Sequence, residues 1–208
     1  MNKQILNRVL RIDSSARREG SVSRAIGDEV IRRLKNRHAE MDVVNLDLAA
    51  GMAHIDGDWV GANFTPEDAR SAVQRERLAT SDEAVAALKA ADAIVLTVPA
   101  YNFSVPSVLK AWIDHVCRAG LTFRYTESGP QGLLADRPVY LVMASGGVPF
   151  GSPVDFASGY LQQVFRFIGI EDVRLIGAER VAADAEAARQ TALTALDQWL
   201  PEPVAQVA

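Results

Sequence analysis

Five short apolar, β-branched runs punctuate the chain, at residues 8–12, 42–46, 93–98, 139–144 and 173–176. They are continuous rather than alternating, the pattern of parallel strands covered on both faces. Helical spacing fills the intervals. Val22, Ile26, Val30, Ile31 and Leu34 recur on one face after the first run. Val105, Val108, Leu109, Trp112, Ile113 and Val116 form an apolar stripe after the third. Lys110, Asp114 and Arg118 sit opposite that stripe, spaced for i,i+4 ion pairs. A fourth helix is expected over 153–168, stopped by Gly169, and a fifth over 183–199, stopped by Pro201.

Strand–helix alternation of this kind predicts an α/β fold, a doubly wound parallel sheet with helices on both faces. Five strands fit the order 2-1-3-4-5 better than a six-stranded dinucleotide fold. Two connections are long for such a sheet. Residues 47–66 hold Met52, Ile55, Trp59, Val60 and Phe64, and residues 119–136 hold Phe123, Arg124 and Tyr125. Thr65-Pro66-Glu67-Asp68 reads as a helix start, with Thr as N-cap and Pro in the first turn. Long aromatic loops are usually functional, here as a dimer interface or an active-site cover.

Composition narrows the class. A length of 208 residues favours one domain spanning 1–208. The net charge of −4 argues against a nucleic-acid surface. No window approaches the ~20 apolar residues of a membrane span. The polar start, Met1 to Arg8, lacks a signal-peptide apolar region, so a cytoplasmic location is expected. Cys117 stands alone, which excludes an internal disulfide and a cysteine metal cluster, and no metal site is expected. Cys117 reads as an inert thiol beside the apolar stripe, and His115 as an exposed or packing histidine rather than a catalytic one.

Chemistry concentrates where strands end. Pro99-Ala100-Tyr101-Asn102-Phe103 follows the third strand directly, and Pro106 closes the turn. Two rings and an amide at the carboxyl edge of an open sheet suit a flat, heteroaromatic ligand. After the first strand, Ser15, Gly20, Ser21, Val22 and Ser23 open a helix whose N-terminus can hold an anion. This stretch has neither a P-loop nor a G-x-G-x-x-G pattern. Arg17 and Arg18 could draw in a phosphate, whereas Glu19 should point away. Ala144-Ser145-Gly146-Gly147 ends the fourth strand and lets backbone approach a ligand edge.

With these loops the sequence resembles the FMN-dependent NADH-azoreductases, flavodoxin-like flavoproteins that also reduce quinones. Further matches are Ser14-Ser15, Ala119-Gly120, Thr122 to Glu127, and Phe167 to Ile170. The resemblance implies a flavodoxin-like, FMN-binding domain. In it Ser15, Ser21, Val22 and Ser23 hold the phosphate, Pro99 to Phe103 line the isoalloxazine, and Ala144 to Gly147 meet its pyrimidine end. The family often has Met where Ala100 stands, and Ser-Arg where Ala144-Ser145 stand. The implied reaction passes hydride from NADH or NADPH through flavin to a quinone or azo compound, in ping-pong order and without a protein nucleophile. Phe123, Tyr125 and Phe150 are candidate substrate walls, supplied in part by the second subunit of a homodimer. Two alternatives stand beside this reading: a flavodoxin-type electron carrier without turnover, and a flavin-free interaction protein of the same fold.

Overall fold

In a computed structural model describing residues 5–202, Arg8–Asp13 forms β1, Val22–Arg37 α1 and Asp42–Asp47 β2. Then come α2 (Gly57–Phe64), α3 (Ala72–Ala90), β3 (Ala93–Pro99) and α4 (Ser107–Val116). β4 (Phe123–Thr126) and β5 (Gly129–Gly132) precede β6 (Val139–Ala144), α5 (Ser158–Ile168), β7 (Val173–Ala178) and α6 (Ala185–Leu196). Residues 1–4 of the polar start and residues 203–208 lie outside the described range.

The five apolar runs become one parallel sheet, ordered β2-β1-β3-β6-β7, which is the expected 2-1-3-4-5 arrangement. Right-handed crossovers then decide the layers. The chain moves outward once, from β1 to β2, and back across the sheet afterwards, so α1 and α3–α5 fall on opposite faces. The pleat sorts side chains accordingly. Val9, Val95, Val142 and Ile176 pack with Ile26, Val30 and Leu34 of α1 and Ala192 and Leu196 of α6. Leu10, Ile12, Ile94, Leu96 and Leu141 pack with Leu88, Trp112, Leu161 and Phe165. Each fully buried aliphatic side chain contributes about 1.5–3 kcal/mol, so these two cores carry the stability. Gly27 lets α1 press onto β3, since a Cβ there would stand 2.5 Å from Thr97 Cγ2.

Both long connections are more ordered than the strand–helix pattern shows. The first holds a 3-10 turn, Leu48–Ala50, and the amphipathic α2, with Trp59 buried and Phe64 78% exposed. The second holds the β4–β5 hairpin, in which Phe123 is buried and tilts onto Phe167 at 4.3 Å.

Three local expectations need correction. Thr65 closes α2 instead of opening the next helix; its N–H donates to Gly61 and Ala62 carbonyls. The helix α3 starts at Ala72, because Ser71 and Gln74 form a reciprocal capping box that satisfies two otherwise unpaired N–H groups. Helix α5 starts at Ser158, not 153, since Asp155 accepts from the Ala157 and Ser158 N–H groups at 3.0 Å. The charge ladder stops at Lys110–Asp114 (2.6 Å) because α4 ends at Val116. Arg118 lies beyond it, buried, donating to Ser81 Oγ and Asp82 with its guanidinium 5.5 Å from the centre of the Trp59 ring.

Candidate active site

Sheet register brings three loops to one edge. Asp13 lies beside Thr97, and Pro99 beside Ala144, so the chain leaves β1, β3 and β6 at nearly one level. A cavity of about 220 Å³ opens there, lined by Ser15, Arg17, Gly20, Ser21, Val22, Ser23, Pro99, Tyr101, Ala144, Ser145 and Val181.

The loop after β1 brings several hydroxyls to a helix N-terminus. Ser21 is the N-cap of α1, accepting from Arg24 N–H at 3.5 Å, and its hydroxyl stands 3.3 Å from that of Ser23. First-turn N–H groups, here those of Val22 and Ser23, have no intrahelical acceptor and face outward from the helix start. Gly20, at φ +64, takes the left-handed turn that brings the chain into α1. Ser14 is structural, since its hydroxyl donates to Thr97 carbonyl at 2.7 Å. Beneath the loop, Arg24 donates to Ser15 carbonyl (2.7 Å) and to Asp47 (2.6 Å), and lies 3.4 Å from Asp13. Burial pushes the Asp47 carboxyl up, but hydrogen bonds from Arg24 and from Ala49 N–H outweigh it and leave it below the usual carboxylate range. The Arg24 charge is therefore neutralised locally and serves to hold the loop. Arg18 pairs with Asp47 at 3.3 Å, Arg17 lines the cavity, and Glu19 is exposed.

The loop after β3 is a tight turn. Tyr101 and Ser104 exchange both main-chain hydrogen bonds (2.9 and 3.0 Å), with Asn102 at φ +48 and Phe103 at φ +68 between them. Two positive φ values in succession define a turn that favours Asn-Gly. A bulky ring at the second position is strained by about 1–2 kcal/mol. Strain of this kind accumulates where function requires it. The result is that Tyr101 and Phe103 stand half out of the surface, at 38% and 56% exposure, with Asn102 exposed between them.

In the loop after β6, Ser145 N–H is spent on Ala178 carbonyl, and Ser145 Oγ accepts from Val148 N–H. Among the described residues, the N–H groups of Gly146 and Gly147 make no hydrogen bond and are exposed. Ala100, Asn102, Phe103, Gly146 and Gly147 do not line the cavity; they are the chain neighbours of Pro99, Tyr101 and Ser145, which do.

The expected substrate walls are placed less uniformly. Tyr125 is 74% exposed on the hairpin, with its ring edge-on to the buried Phe123 at 5.5 Å. Phe150 lies over Gly177 and packs on the core. None of these three lines the cavity. Two neighbours were not legible in the sequence. Val181 lines the cavity from beyond β7, and the 62% exposed Phe156 donates its N–H to Phe103 carbonyl at 3.2 Å. Phe156 carries no local signal beyond being one more aromatic in a Pro- and Gly-rich loop.

The profile of residues 7–200 matches the model of the flavodoxin-like fold, Flavodoxin_2. A protein of Jannaschia sp. is 46% identical over 192 residues, covering 92% of this chain and 98% of its own, and is named FMN-dependent NADH:quinone oxidoreductase 1. The chain belongs to the flavodoxin-like family of FMN-dependent NADH:quinone oxidoreductases. A relative in Thiobacillus denitrificans, named FMN-dependent NADH:quinone oxidoreductase, is 49% identical over 89% of this chain and 90% of its own. The solved FMN-dependent NADH-azoreductase of Bacillus anthracis, in complex with FMN, superposes with a TM-score of 0.84 at 26% identity, over 93% of this chain and 97% of that one.

In this flavodoxin-like chain His115 and Cys117 are structural. His115 is buried, with Nε2 2.8 Å from Ala53 carbonyl and its ring edge-on to Trp59. Burial, helped by Asp114, pushes the Cys117 thiol up to about 11, so little thiolate forms at neutral pH. A larger cavity of about 800 Å³ lies between α2 and α3 under His115, and none of the three strand-end loops contributes to it. Among the described residues no helix is long and apolar enough to cross a membrane.

Proposed function

We propose that this protein is a cytoplasmic, homodimeric FMN-dependent oxidoreductase that uses NADH or NADPH to reduce quinones and azo compounds. The observation that carries the reading is the single cavity in which the serine loop, the Tyr101 turn and the Ala144-Ser145 strand end meet. Its parts fit FMN. The α1 start offers hydroxyls of Ser15, Ser21 and Ser23 and two first-turn N–H groups to a phosphate, with the helix dipole favouring negative charge. Such a cradle suits a phosphate that is held rather than transferred. Pro99 to Phe103 supply a shelf for a planar ring, and the unbonded Gly146 and Gly147 N–H groups face its polar end.

Bound there, FMN supplies hydride acceptance and donation, the chemistry no side chain of this chain provides. The protein's work is binding, orientation and electrostatics. Gly146 and Gly147 N–H groups stabilise negative charge at the pyrimidine end. The Tyr101 and Phe103 rings keep water from the reacting face. The cavity walls carry the Ser15, Ser21, Ser23, Ser145 and Tyr101 hydroxyls but no His, Cys, Asp or Glu to act as their base, and the reading assigns no protein nucleophile. With one such cavity, nicotinamide and acceptor would use the site in turn, the expected ping-pong order.

The homodimer rests on uncovered apolar surface. Val60 and Phe64 on α2, Val73 on α3 and Tyr125 on the hairpin are exposed, three of them at 74% or more. A monomer rarely leaves such surface open. With Phe123 turned inward, Tyr125 is the hairpin ring available to a partner's site.

Rapid mixing of the FMN-loaded protein with NADH under anaerobic conditions should bleach the flavin absorbance, and a quinone should restore it. An unbleached flavin would leave only the electron-carrier or binding alternatives. Sedimentation of the same sample at micromolar concentration should give a dimer, and a monomer would remove the shared site.

A further inference from the structure

The loop after β6 is held from outside by the end of β7. Within the loop, Ser145 Oγ accepts from Val148 N–H at 2.9 Å, and Asp155 accepts from Gly151 N–H at 2.8 Å. Glu179 reaches the loop from just beyond β7, its Oε1 accepting the Phe150 N–H at 2.7 Å. That is the only hydrogen bond of the Glu179 side chain among the described residues, and the carboxylate pairs with no cation there. A half-buried carboxylate spent on one backbone N–H, with no ion pair to explain it, has that N–H as its purpose.

The same end of β7 also fixes the ring of Phe150. A Cβ on Gly177 would stand 2.6 Å from Phe150 Cδ2 and 3.0 Å from Cε2, so the ring lies directly on the glycine. Two main-chain bonds join the segments alongside, Val181 N–H to Ser145 carbonyl (3.0 Å) and Ala182 N–H to Gly146 carbonyl (3.2 Å). Farther on, Phe156 N–H donates to Phe103 carbonyl, so the loop's place also bears on the strained turn.

We infer that Glu179 is a positioning residue for the cofactor clamp: by holding Phe150 N–H it sets where the free Gly146 and Gly147 N–H groups stand. Gly177 serves the same end by giving the Phe150 ring its seat. The inference rests on the FMN reading of this cavity.

The test titrates flavin-stripped protein with FMN, for wild type, Glu179→Ala, Glu179→Gln and Gly177→Ala, with a Tm measured on each. Glu179→Ala should weaken FMN binding roughly tenfold, the lower end of what a hydrogen bond to a charged group is worth. Glu179→Gln keeps an accepting Oε1 and should stay within about threefold of wild type. Gly177→Ala displaces the Phe150 ring with Glu179 intact and should also weaken binding, which decides the matter if Glu179→Ala does not fold. Wild-type affinity in Glu179→Ala at a lowered Tm would make the residue merely structural and overturn the inference. So would a Gln variant as weak as the Ala variant. Failure of the FMN reading itself would show in the wild type, before any variant is compared.

Discussion

Ser21→Ala combined with Ser23→Ala should weaken FMN binding by roughly 10²- to 10⁴-fold. The estimate follows from two hydroxyl bonds to a phosphate dianion, each worth about 1.5–3 kcal/mol, with about 1.4 kcal/mol per decade of affinity. Ser21 also caps α1, and losing a cap to Ala costs about 1 kcal/mol of stability. Ser21→Gly separates the two effects, since Gly at an N-cap costs only a few tenths of that unit while the hydroxyl is still gone. Equilibrium titration of stripped protein with FMN, read beside a thermal melt, checks the prediction. Unchanged affinity in the double variant would detach the phosphate from this loop. The buried Ser23 is the more telling position, because its side chain has the Ser21 hydroxyl as its hydrogen-bond neighbour.

Gly169→Ala should destabilise the fold by about 2–5 kcal/mol. Gly169 closes α5 at φ +104, with Ile170 N–H reaching back to Phe165 carbonyl at 2.9 Å. An L side chain in that conformation costs about 1–2 kcal/mol. Its Cβ would also stand 2.6 Å from Leu134 carbonyl, a backbone atom that cannot rotate away. Overpacking of that sort adds about 1–3 kcal/mol. For a chain of this size the melting temperature should fall by roughly 5–15 °C. The consequence reaches the β4–β5 hairpin, which seats on this corner: Leu134 N–H donates to Ile168 carbonyl, and a Cβ on Gly132 would overlap the Gly169 backbone. A variant melting within about two degrees of wild type would show the corner to be soft and the hairpin independent of it.

The strands were legible because burial on both faces writes itself locally, as runs such as Ile94-Val95-Leu96 that need no partner to be recognised. Their order followed from handedness and strand number, which are general. The start of α3 departs from the local pattern because two signals compete within a few residues. Thr65-Pro66 and Ser71-x-x-Gln74 both resemble helix starts, and the reciprocal bonds of the second decided the outcome. Phe123 looked like a substrate wall because an aromatic in a loop carries no mark of direction. Its contact with Phe167, 44 positions along the chain by the numbering, turns it inward.

By itself, then, the sequence determined the parallel α/β sheet, the family, and the residues at three strand ends, since each of these is carried by local pattern or by motif. Only the tertiary structure decided that the three ends form one cavity, because that depends on register between strands far apart in sequence. It also decided which backbone donors are free. Among the described residues, Ser145 N–H is consumed by Ala178 carbonyl while those of Gly146 and Gly147 are not, and no composition or spacing encodes that difference. The strain at Phe103 belongs to the same class: positive φ at a bulky residue is held by Tyr101, Ser104 and Phe156 bonds, and so exists only in the folded chain.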